Sequence, residues 1–573
     1  MNLTNANLAR ALLQRALDAH RSGNLDVAAV LYGQVLAQDP RHFDSLHLSG
    51  VIALQKNDPA KAVQLIGKAL RVDPRQQAAY SNRAAAFMAL NDPAAALKDL
   101  NQAVALKPGQ SEAHYNRGKT LLALARADEA LQALDKALAL NPGYVDAHIT
   151  RGTIFADRGE YALALDCYDR ALTLDAARFE THFNRAHVLA ALGRNDEAVA
   201  GYTQVLDLAP GHVDALNNRG NILRFLNQHE RALADYARAG ELAPDFARAH
   251  VNRALCLFAL GRFEEAWGPY EWRFGTPDLA PIIQGFTEPR WYGQETLAGK
   301  SILLVAEQGL GDTLQFCRFV QTLAARGAVV RLMVPAALKR LLSGLGGLAA
   351  IYDEKEDRPA SDFYCPLLSV PLALGLTRAA IPGAVYLAAE ESKVAQWAAR
   401  LSGHAGPRVG LVWAGNPQKH LAALSVDPQR SLPLAAFAPL GKRTGITWIS
   451  LQKGEPRQEL AALRAAPWAG PDILDLTDEL KDFADTAALV ANLDLVISCD
   501  TAVGHLAGGM GKPVWILNRA NACWRYPIDR TDSPWYPTVR VFHQPRPGDW
   551  DAVIAAVDAE LAKAFIPSPS PRG

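Results

Sequence analysis

The sequence predicts an α-helical solenoid over its first half and a pair of doubly wound α/β lobes over its second. Three observations lead there. Ladders of small residues, alanines and prolines keep one 34-residue period through about residue 275. Beyond that point the period stops, and apolar runs of strand length alternate with helical stretches. Finally, two glycine-containing turns, Gln308–Thr313 and Ser498–Gly508, each follow such a run and open a helix.

The solenoid rests on the ladders. Small residues recur at Ala16, Gly50, Ala84, Gly118, Gly152, Ala186, Gly220 and Ala254, where the two helices of a unit would approach closely. A second series is Ala28, Ala62, Ala96, Ala130, Ala164, Ala198, Ala232 and Ala266. A third, Pro40, Pro74, Pro108, Pro142, Pro210 and Pro244, ends the second helix of each unit, with Ala176 the one lapse. Turn signals such as Asn57-Asp58-Pro59 and Leu192-Gly193-Arg194 separate the two helices. One such unit cannot bury its apolar face, whereas stacked units can. The period and the small-residue ladder resemble the tetratricopeptide repeat, and eight units fit between about residues 9 and 275.

Within each unit one position favours an amide: Asn82, Asn116, Asn184, Asn218 and Asn252. An amide donates and accepts, so a row of them in a concave groove suits the backbone of any extended peptide. The row resembles the asparagine ladder of the protein O-linked N-acetylglucosamine transferases; hydrogen bonds between repeats are the other reading. The adjoining series Arg83, Arg117, Arg151, Arg185, Arg219 and Arg253 is expected to form ion pairs with acids such as Asp99 or Asp169. His114, His148, His182 and His250 would lie ~10 Å or more apart, too far to share a metal ion with ligands at ~2 Å. They are expected to be packing or surface groups.

After the repeats, residues 276–296 read as a linker rich in Pro, Gly and aromatic side chains. Ser301–Ala306 and Ala328–Val334 read as strands, with helices over Leu314–Ala325 and Pro335–Leu342. The pattern restarts near Pro407, with strands over Val409–Trp413, Ile446–Leu451, Leu493–Ser498 and Val514–Leu517. The expected division is therefore 1–275 solenoid, 276–296 linker, 297–404 first lobe, 405–565 second lobe with a C-terminal helix, and 566–573 a disordered tail. Sites of such lobes lie at the carboxyl ends of the strands.

Composition narrows the function. Of 573 residues, 49% are hydrophobic and 21% charged, a globular balance. Lys plus Arg and Asp plus Glu each number 59, which argues against binding nucleic acid through excess cation. The N-terminus lacks the basic-then-apolar run of a signal peptide. Residues 363–377, the longest uncharged stretch, are broken by Pro366 and Pro371 and are too short to span a membrane. Six cysteines occur without a Cys-x-x-Cys pair, so neither a zinc site nor a disulfide framework is expected. These features read as a cytoplasmic protein without membrane insertion.

Five segments carry candidate chemistry. In Gln308-Gly309-Leu310-Gly311-Asp312-Thr313 the glycines permit a tight turn and close backbone approach to a ligand, and Asp312 faces the cleft or caps the following helix. In Asp500-Thr501-Ala502-Val503-Gly504-His505 the unpaired N–H groups and helix dipole form an anion site, with Asp500 placed to accept a sugar hydroxyl. Lys419, in the loop Ala414–His420, or Arg430, beyond it, can neutralise a leaving phosphate. Ser450–Gly454, with Lys453, ends a strand on the same cleft. Cys523-Trp524-Arg525-Tyr526 and Trp535-Tyr536-Pro537 carry rings that could stack on a base or close the site.

Gly309–Asp312, Ser450–Gly454, Asp500–Gly508 and Trp535–Pro537 together resemble the bacterial heptosyltransferase-related glycosyltransferases of the two-Rossmann (GT-B) fold. Joined to tetratricopeptide repeats, they are similar to bacterial repeat-linked protein glycosyltransferases, including those that modify flagellin. Residues 417–430 look longer than the family pattern, and Asn518–Asn521 differs from its Leu/Pro-rich segment. The resemblance implies a GT-B-like pair of Rossmann lobes. It implies transfer of a sugar from a nucleotide sugar to Ser or Thr of a repeat-bound protein, flagellin being the leading acceptor, with Asp312 as catalytic base. Donor phosphate would be held by Gly309, Gly311, Lys453, Asp500, Thr501, Ala502, Val503, Gly504, His505, Lys419 and Arg430, with no metal and no cofactor. The alternatives are a repeat scaffold with a degenerate transferase domain and a transferase acting on a glycan or lipid-linked acceptor.

Overall fold

The computed structural model describes residues 3–415, 430–465, 468–521 and 523–565. Lys419 and the tail 566–573 lie outside the described residues. Two compact units are present, Met1–Pro210 and Gly211–Gly573, so the last two repeats group with the α/β part.

The first unit contains six helix pairs, from Leu3–Arg21 with Leu25–Gln38 to Phe179–Ala191 with Asn195–Leu208. The second unit opens with two more, Val213–Phe225 with His229–Leu242 and Ala247–Ala259 with Phe263–Tyr270. The small-residue ladder explains the close pairing within each repeat. A Cβ on Gly152 would lie 2.7 Å from the Tyr168 ring, and one on Gly220 equally close to Tyr236. Ala28, Ala62, Ala96, Ala130, Ala164, Ala198, Ala232 and Ala266 are fully buried.

The turn inside each repeat has one residue in the left-handed region: Gly23, Asn57, Asn91, Ala125, Gly159, Gly193, Asn227 and Gly261. Glycine and asparagine adopt this conformation readily; Ala125, at φ +56°, does so against its Cβ. The next helix then starts on its cap where the sequence allows: Asp58 and Asp92 accept the N–H groups of Lys61 and Ala95, each followed by proline in the first turn.

The arginine series forms ion pairs at a spacing of 16 residues, in both directions. Arg83–Asp99 and Arg219–Asp235, each 2.7 Å, lie within one repeat and bury their aspartates. Arg151–Asp135 at 2.9 Å and Arg185–Asp169 at 2.5 Å join neighbouring repeats. The histidines serve the inter-repeat turn: Nε2 of His114, His148, His182 and His250 meets the carbonyl six residues earlier at 2.8–3.0 Å.

In the second unit the last repeat passes into the α/β part through an aromatic joint. Phe258 packs on Trp524, with ring centroids 4.9 Å apart, and Phe263 on Trp535 at 5.8 Å. Trp267 donates from Nε1 to the Leu376 carbonyl at 3.1 Å. Arg273 is buried and binds Glu271 at 2.7 Å, Glu307 at 2.9 Å and Ser369 at 2.7 Å. Glu307 also accepts the N–H groups of Leu367 and Leu368, so its buried carboxylate is met by three donors.

Two parallel sheets follow. β1 (Ser301–Val305), β2 (Val329–Met333), β3 (Leu348–Tyr352) and β4 (Phe363–Pro366) lie in the order β3-β2-β1-β4. β5 (Arg408–Val412), β6 (Thr447–Ser450), β7 (Ile473–Asp475), β8 (Leu495–Cys499), β9 (Val514–Asn518) and β10 (Val539–His543) lie in the order β10-β9-β8-β5-β6-β7. The core of the larger sheet includes Leu411, Trp413, Phe437, Ile497 and Val557. Its C-terminal helix Trp550–Ala564 is fastened by Asp558 to Arg443 at 2.6 Å.

Four strands absent from the sequence expectation complete the sheets: β3, β4, β7 and β10. The single helix expected over Leu314–Ala325 is two, Leu310–Phe316 and Phe319–Ala325. Arg318 sits at the break, buried, donating to the carbonyls of Gln315 (2.7 Å), Pro382 (2.8 Å) and Trp535 (2.6 Å). The linker contains a short helix, Ala280–Gln284, and buries Trp291.

Candidate functional site

The two glycine-containing turns meet. Gly311 lies against the helix Ala502–Gly509, where an added Cβ would stand 3.0 Å from His505 Cδ2 and 3.4 Å from the Ala502 Cα. Even an alanine at 311 would press on His505 and the Ala502 backbone. Asp312, one residue after Gly311, and Asp500 both reach the same guanidinium, that of Arg525.

Asp312 sits in the first turn of its helix rather than before it, and its carboxylate accepts the Gly309 N–H at 3.2 Å. It thus serves the helix start from within, and its other oxygen pairs with Arg525. Arg525 also donates to Gln315 Oε1 at 2.9 Å and lies 3.8 Å from Asp500. Its guanidinium rests over the Trp524 ring, 4.4 Å from the centroid. Arg525, Asp312 and Asp500 are nearly buried, with side chains 10–13% exposed. Burial disfavours the Arg525 charge, but Asp312, Cys523 and Asp500 outweigh it and hold the guanidinium firmly protonated.

Asp500 follows β8. Burial alone would raise its carboxyl, but the hydrogen bond from His505 and the charge of Arg525 keep it well below the usual carboxylate range. His505 Nε2 is 3.5 Å from Asp500, and its Nδ1 is 2.9 Å from the Tyr536 hydroxyl. Burial pushes the His505 imidazole down, so it is neutral at pH 7; Nε2–H then faces Asp500 and Nδ1 accepts from Tyr536.

Thr501 caps the helix Ala502–Gly509 in extended conformation, with its hydroxyl 2.9 Å from Ser498 Oγ. The first-turn N–H groups of Ala502, Val503 and Gly504 have no carbonyl four residues earlier within the helix, which leaves a region of positive potential. Gly504 also serves packing, since a Cβ there would lie 2.9 Å from Ile516.

Lys453 belongs elsewhere. Its amine donates to the Leu480 carbonyl, on the β6–β7 side of the sheet. Its neighbour Gln452 clamps the end of β5, accepting the N–H groups of Trp413 and Ala414 at 3.1 and 2.9 Å. Arg430 lies across Gly415 at the end of β5. Trp535 is wholly buried between Phe263 and Phe316, so it is part of the joint with the last repeat and not a free face for a base. Among the described residues, no cluster of three or more His, Cys, Asp or Glu side chains could hold a metal ion.

Residues 13–71, 48–111, 115–180, 183–245 and 218–271 match the family model of the tetratricopeptide repeat. Residues 13–271 are tetratricopeptide repeats. Protein FlbA of Caulobacter vibrioides is 31% identical over 325 residues, 52% of this chain and 52% of that protein. The chain thus spans about half the length of this curated relative. Among solved structures, YrrB, described as a TPR protein with an unusual peptide-binding site, is 27% identical, with a TM-score of 0.29 over 32% of this chain and 95% of its own. A tetratricopeptide repeat protein of Parabacteroides merdae is 21% identical, with a TM-score of 0.35 over 44% of this chain and 98% of its own.

The tetratricopeptide repeats treat their asparagines unequally. Asn82 Nδ2 meets His47 Nε2 of the preceding repeat at 2.9 Å, and Asn252 donates to Asn217 at 2.9 Å. Asn217 in turn donates to Asn218 at 3.2 Å. Of the predicted row, Asn82, Asn218 and Asn252 therefore take part in hydrogen bonds of the repeats themselves. For Asn116 and Asn184 the described residues show no such side-chain bond, and both remain partly exposed. Among the described residues, no helix is long and apolar enough to cross a membrane.

The sequence did not single out Arg525 as a charged group. It was legible only as one cation in an aromatic loop; its partners Asp312 and Gln315 lie about two hundred residues away, and Asp500 follows β8.

Proposed function

We propose that this protein is a GT-B-type glycosyltransferase that moves a sugar from a nucleotide-activated donor to a Ser or Thr hydroxyl of a protein held by its repeats, flagellin being the leading acceptor. The observation that carries the reading is the meeting of Asp312 with Asp500 and His505 through Arg525, at the carboxyl ends of strands from two parallel sheets. Repeat solenoids present extended binding surfaces, which supports a macromolecular acceptor.

In this reading Asp312 accepts the hydroxyl proton while the acceptor oxygen bonds to the anomeric carbon. The bond from that carbon to the donor phosphate breaks, and its electrons leave with the phosphate. The first-turn N–H groups of the helix Ala502–Gly509 and nearby guanidiniums stabilise that charge. Arg525 is shared among Asp312, Asp500 and Gln315. An arriving phosphate competes for this guanidinium and loosens its hold on Asp312, so donor binding readies the base.

The Arg525–Asp312 pair also favours a second reading, a repeat scaffold whose base is permanently occupied. Intact-mass spectrometry separates the two. Purified protein incubated with flagellin and a panel of nucleotide sugars should add whole sugar masses to the acceptor. No added mass with any nucleotide sugar, together with no release of nucleotide, refutes the transferase.

A further inference from the structure

The end of the last repeat reaches the turn that carries Asp312. After β1 the chain passes through Ala306, Glu307 and Gln308 to Gly309, whose N–H donates to the Asp312 carboxylate. Glu307 and Gln308 are each held by a side chain from the helix Phe263–Tyr270 or the turn that follows it. The Tyr270 hydroxyl accepts from Gln308 Nε2 at 2.9 Å and lies 3.3 Å from Gln308 Oε1. Arg273, three residues later, meets Glu307 at 2.9 Å. Gly309 and Gly311 offer no side chain to hold, so the course of the turn rests largely on Glu307, Gln308 and Asp312 itself.

Tyr270 also touches the other half of the site. Its ring centroid stands 6.1 Å from that of Trp524, the ring over which the Arg525 guanidinium lies. The tyrosine is buried and closely packed. Phe258 meets it edge-on with centroids 5.6 Å apart, and the Arg273 guanidinium lies over its ring at 4.7 Å and donates to its carbonyl at 3.2 Å. A ring fixed by packing presents its hydroxyl in one place, with little rotamer freedom left to lose. One residue of the repeats therefore contacts both the turn of Asp312 and the loop of Arg525, the two segments joined by the ion pair of the site.

We propose that Tyr270 is a positioning residue for Asp312, acting through Gln308, so that the eighth repeat is a working part of the site and not only a tether to it. That the turn serves a proton transfer rests on the transferase reading; the hold of Tyr270 on the turn does not. In that reaction the donor phosphate competes for Arg525 and loosens its grip on Asp312. The turn then keeps its course through Glu307 and Gln308, whose anchors Arg273 and Tyr270 belong to the end of the repeats. A reacting group displaced by about 1 Å can lose ~10²-fold in rate, so an anchor outside the reacting atoms matters to turnover.

The test compares the full chain with Tyr270→Phe, which keeps the ring and removes the hydroxyl, with Gln308→Met, and with the two together. Hydrogen exchange read by mass spectrometry on the peptide Glu307–Cys317 follows the Gly309 N–H and the Thr313 N–H, which donates to the Gly309 carbonyl at 3.1 Å. Exchange there should be about two- to tenfold faster in each single variant, the range one lost hydrogen bond allows, and unchanged in peptides from the first six repeats. The double variant should exchange no faster than the singles, because both remove the same bond. With nucleotide sugar, kcat should fall about ten- to a hundredfold while KM stays within about twofold. Wild-type exchange in Tyr270→Phe, or effects that add in the double variant, overturns the proposal, and so does turnover by Tyr270→Phe within about twofold of wild type. If the wild type turns over no nucleotide sugar, the transferase reading falls, and the exchange measurement alone decides whether Tyr270 holds the turn.

Discussion

Arg525 pairs with the Asp312 carboxylate and so joins the loop after β9 to the first helical turn after β1. Asp500 approaches the same guanidinium at 3.8 Å. Replacing Arg525 with Met leaves two nearly buried carboxylates facing each other with no cation between them. Removing one partner of a buried pair costs about 3–5 kcal/mol. Arg525→Met should lower the thermal unfolding midpoint and abolish nucleotide binding, whereas Asp312→Asn should disturb the midpoint far less. Thermal denaturation and calorimetry on the two variants check this; equal midpoints would show that Arg525 is not the shared counter-ion.

Ala125 is the alanine among the left-handed turn residues of the repeats, at φ +56°. The left-handed conformation costs an L-residue about 1–2 kcal/mol, and glycine's extra chain entropy takes back about 0.5–1. Ala125→Gly should therefore stabilise the repeats by a few tenths to about 1 kcal/mol. Gly159→Ala, one repeat later at φ +74°, should destabilise them. Urea titrations followed by helical circular dichroism measure both, and opposite signs are expected.

Acid should weaken the fold in a defined window. Burial holds the His505 imidazole below its ordinary value of 6.5, only partly offset by Asp500, and His47, His229 and His543 are lowered likewise. The unfolded chain binds protons at these groups as pH falls below about 6.5 while the folded chain does not. Stability is then full above that pH and declines below it. The urea midpoint should be lower at pH 5.5 than at pH 7.5, and His505→Gln should shrink the difference. An unchanged difference would mean that His505 is not held neutral by the fold.

The asparagines should divide by role. Asn82 and Asn252 bond within the repeats, so Asn82→Ala or Asn252→Ala should cost about 0.5–1.5 kcal/mol of stability. Asn116→Ala with Asn184→Ala should leave stability nearly unchanged and weaken acceptor binding. Pull-down titration beside urea denaturation distinguishes the two pairs; acceptor binding untouched by the Asn116 and Asn184 changes would end their groove assignment.

The repeats were legible because every one carries its own constraint. Gly152 and Gly220 admit a tyrosine ring, and Arg83 and Arg219 find an aspartate 16 residues on. Such signals are local and recur. The α/β elements were read where apolar runs are long, as in β1 and β8, and missed where they are short or half-exposed, as in the three-residue β7 and in β3. Within the site, Gly311, Asp312, Asp500 and His505 could be picked out because each stands in a glycine-bearing turn. Arg525 and Arg318 could not, since partners of each come from distant segments. Lys453 stands in a suggestive motif but serves the Leu480 carbonyl, a contact only the folded chain reveals.

In the proposed reaction Asp312 takes a proton during sugar transfer. Asparagine in its place keeps one oxygen, enough for the Gly309 N–H or for Arg525 but not for both, and cannot accept the proton. The decisive measurement is the turnover of nucleotide sugar by wild type and by Asp312→Asn, with nucleotide affinity measured on both. The expected result is a folded variant that binds nucleotide at least as tightly as wild type and turns over about 10²–10⁴-fold more slowly. Turnover by Asp312→Asn within a few-fold of wild type would contradict it.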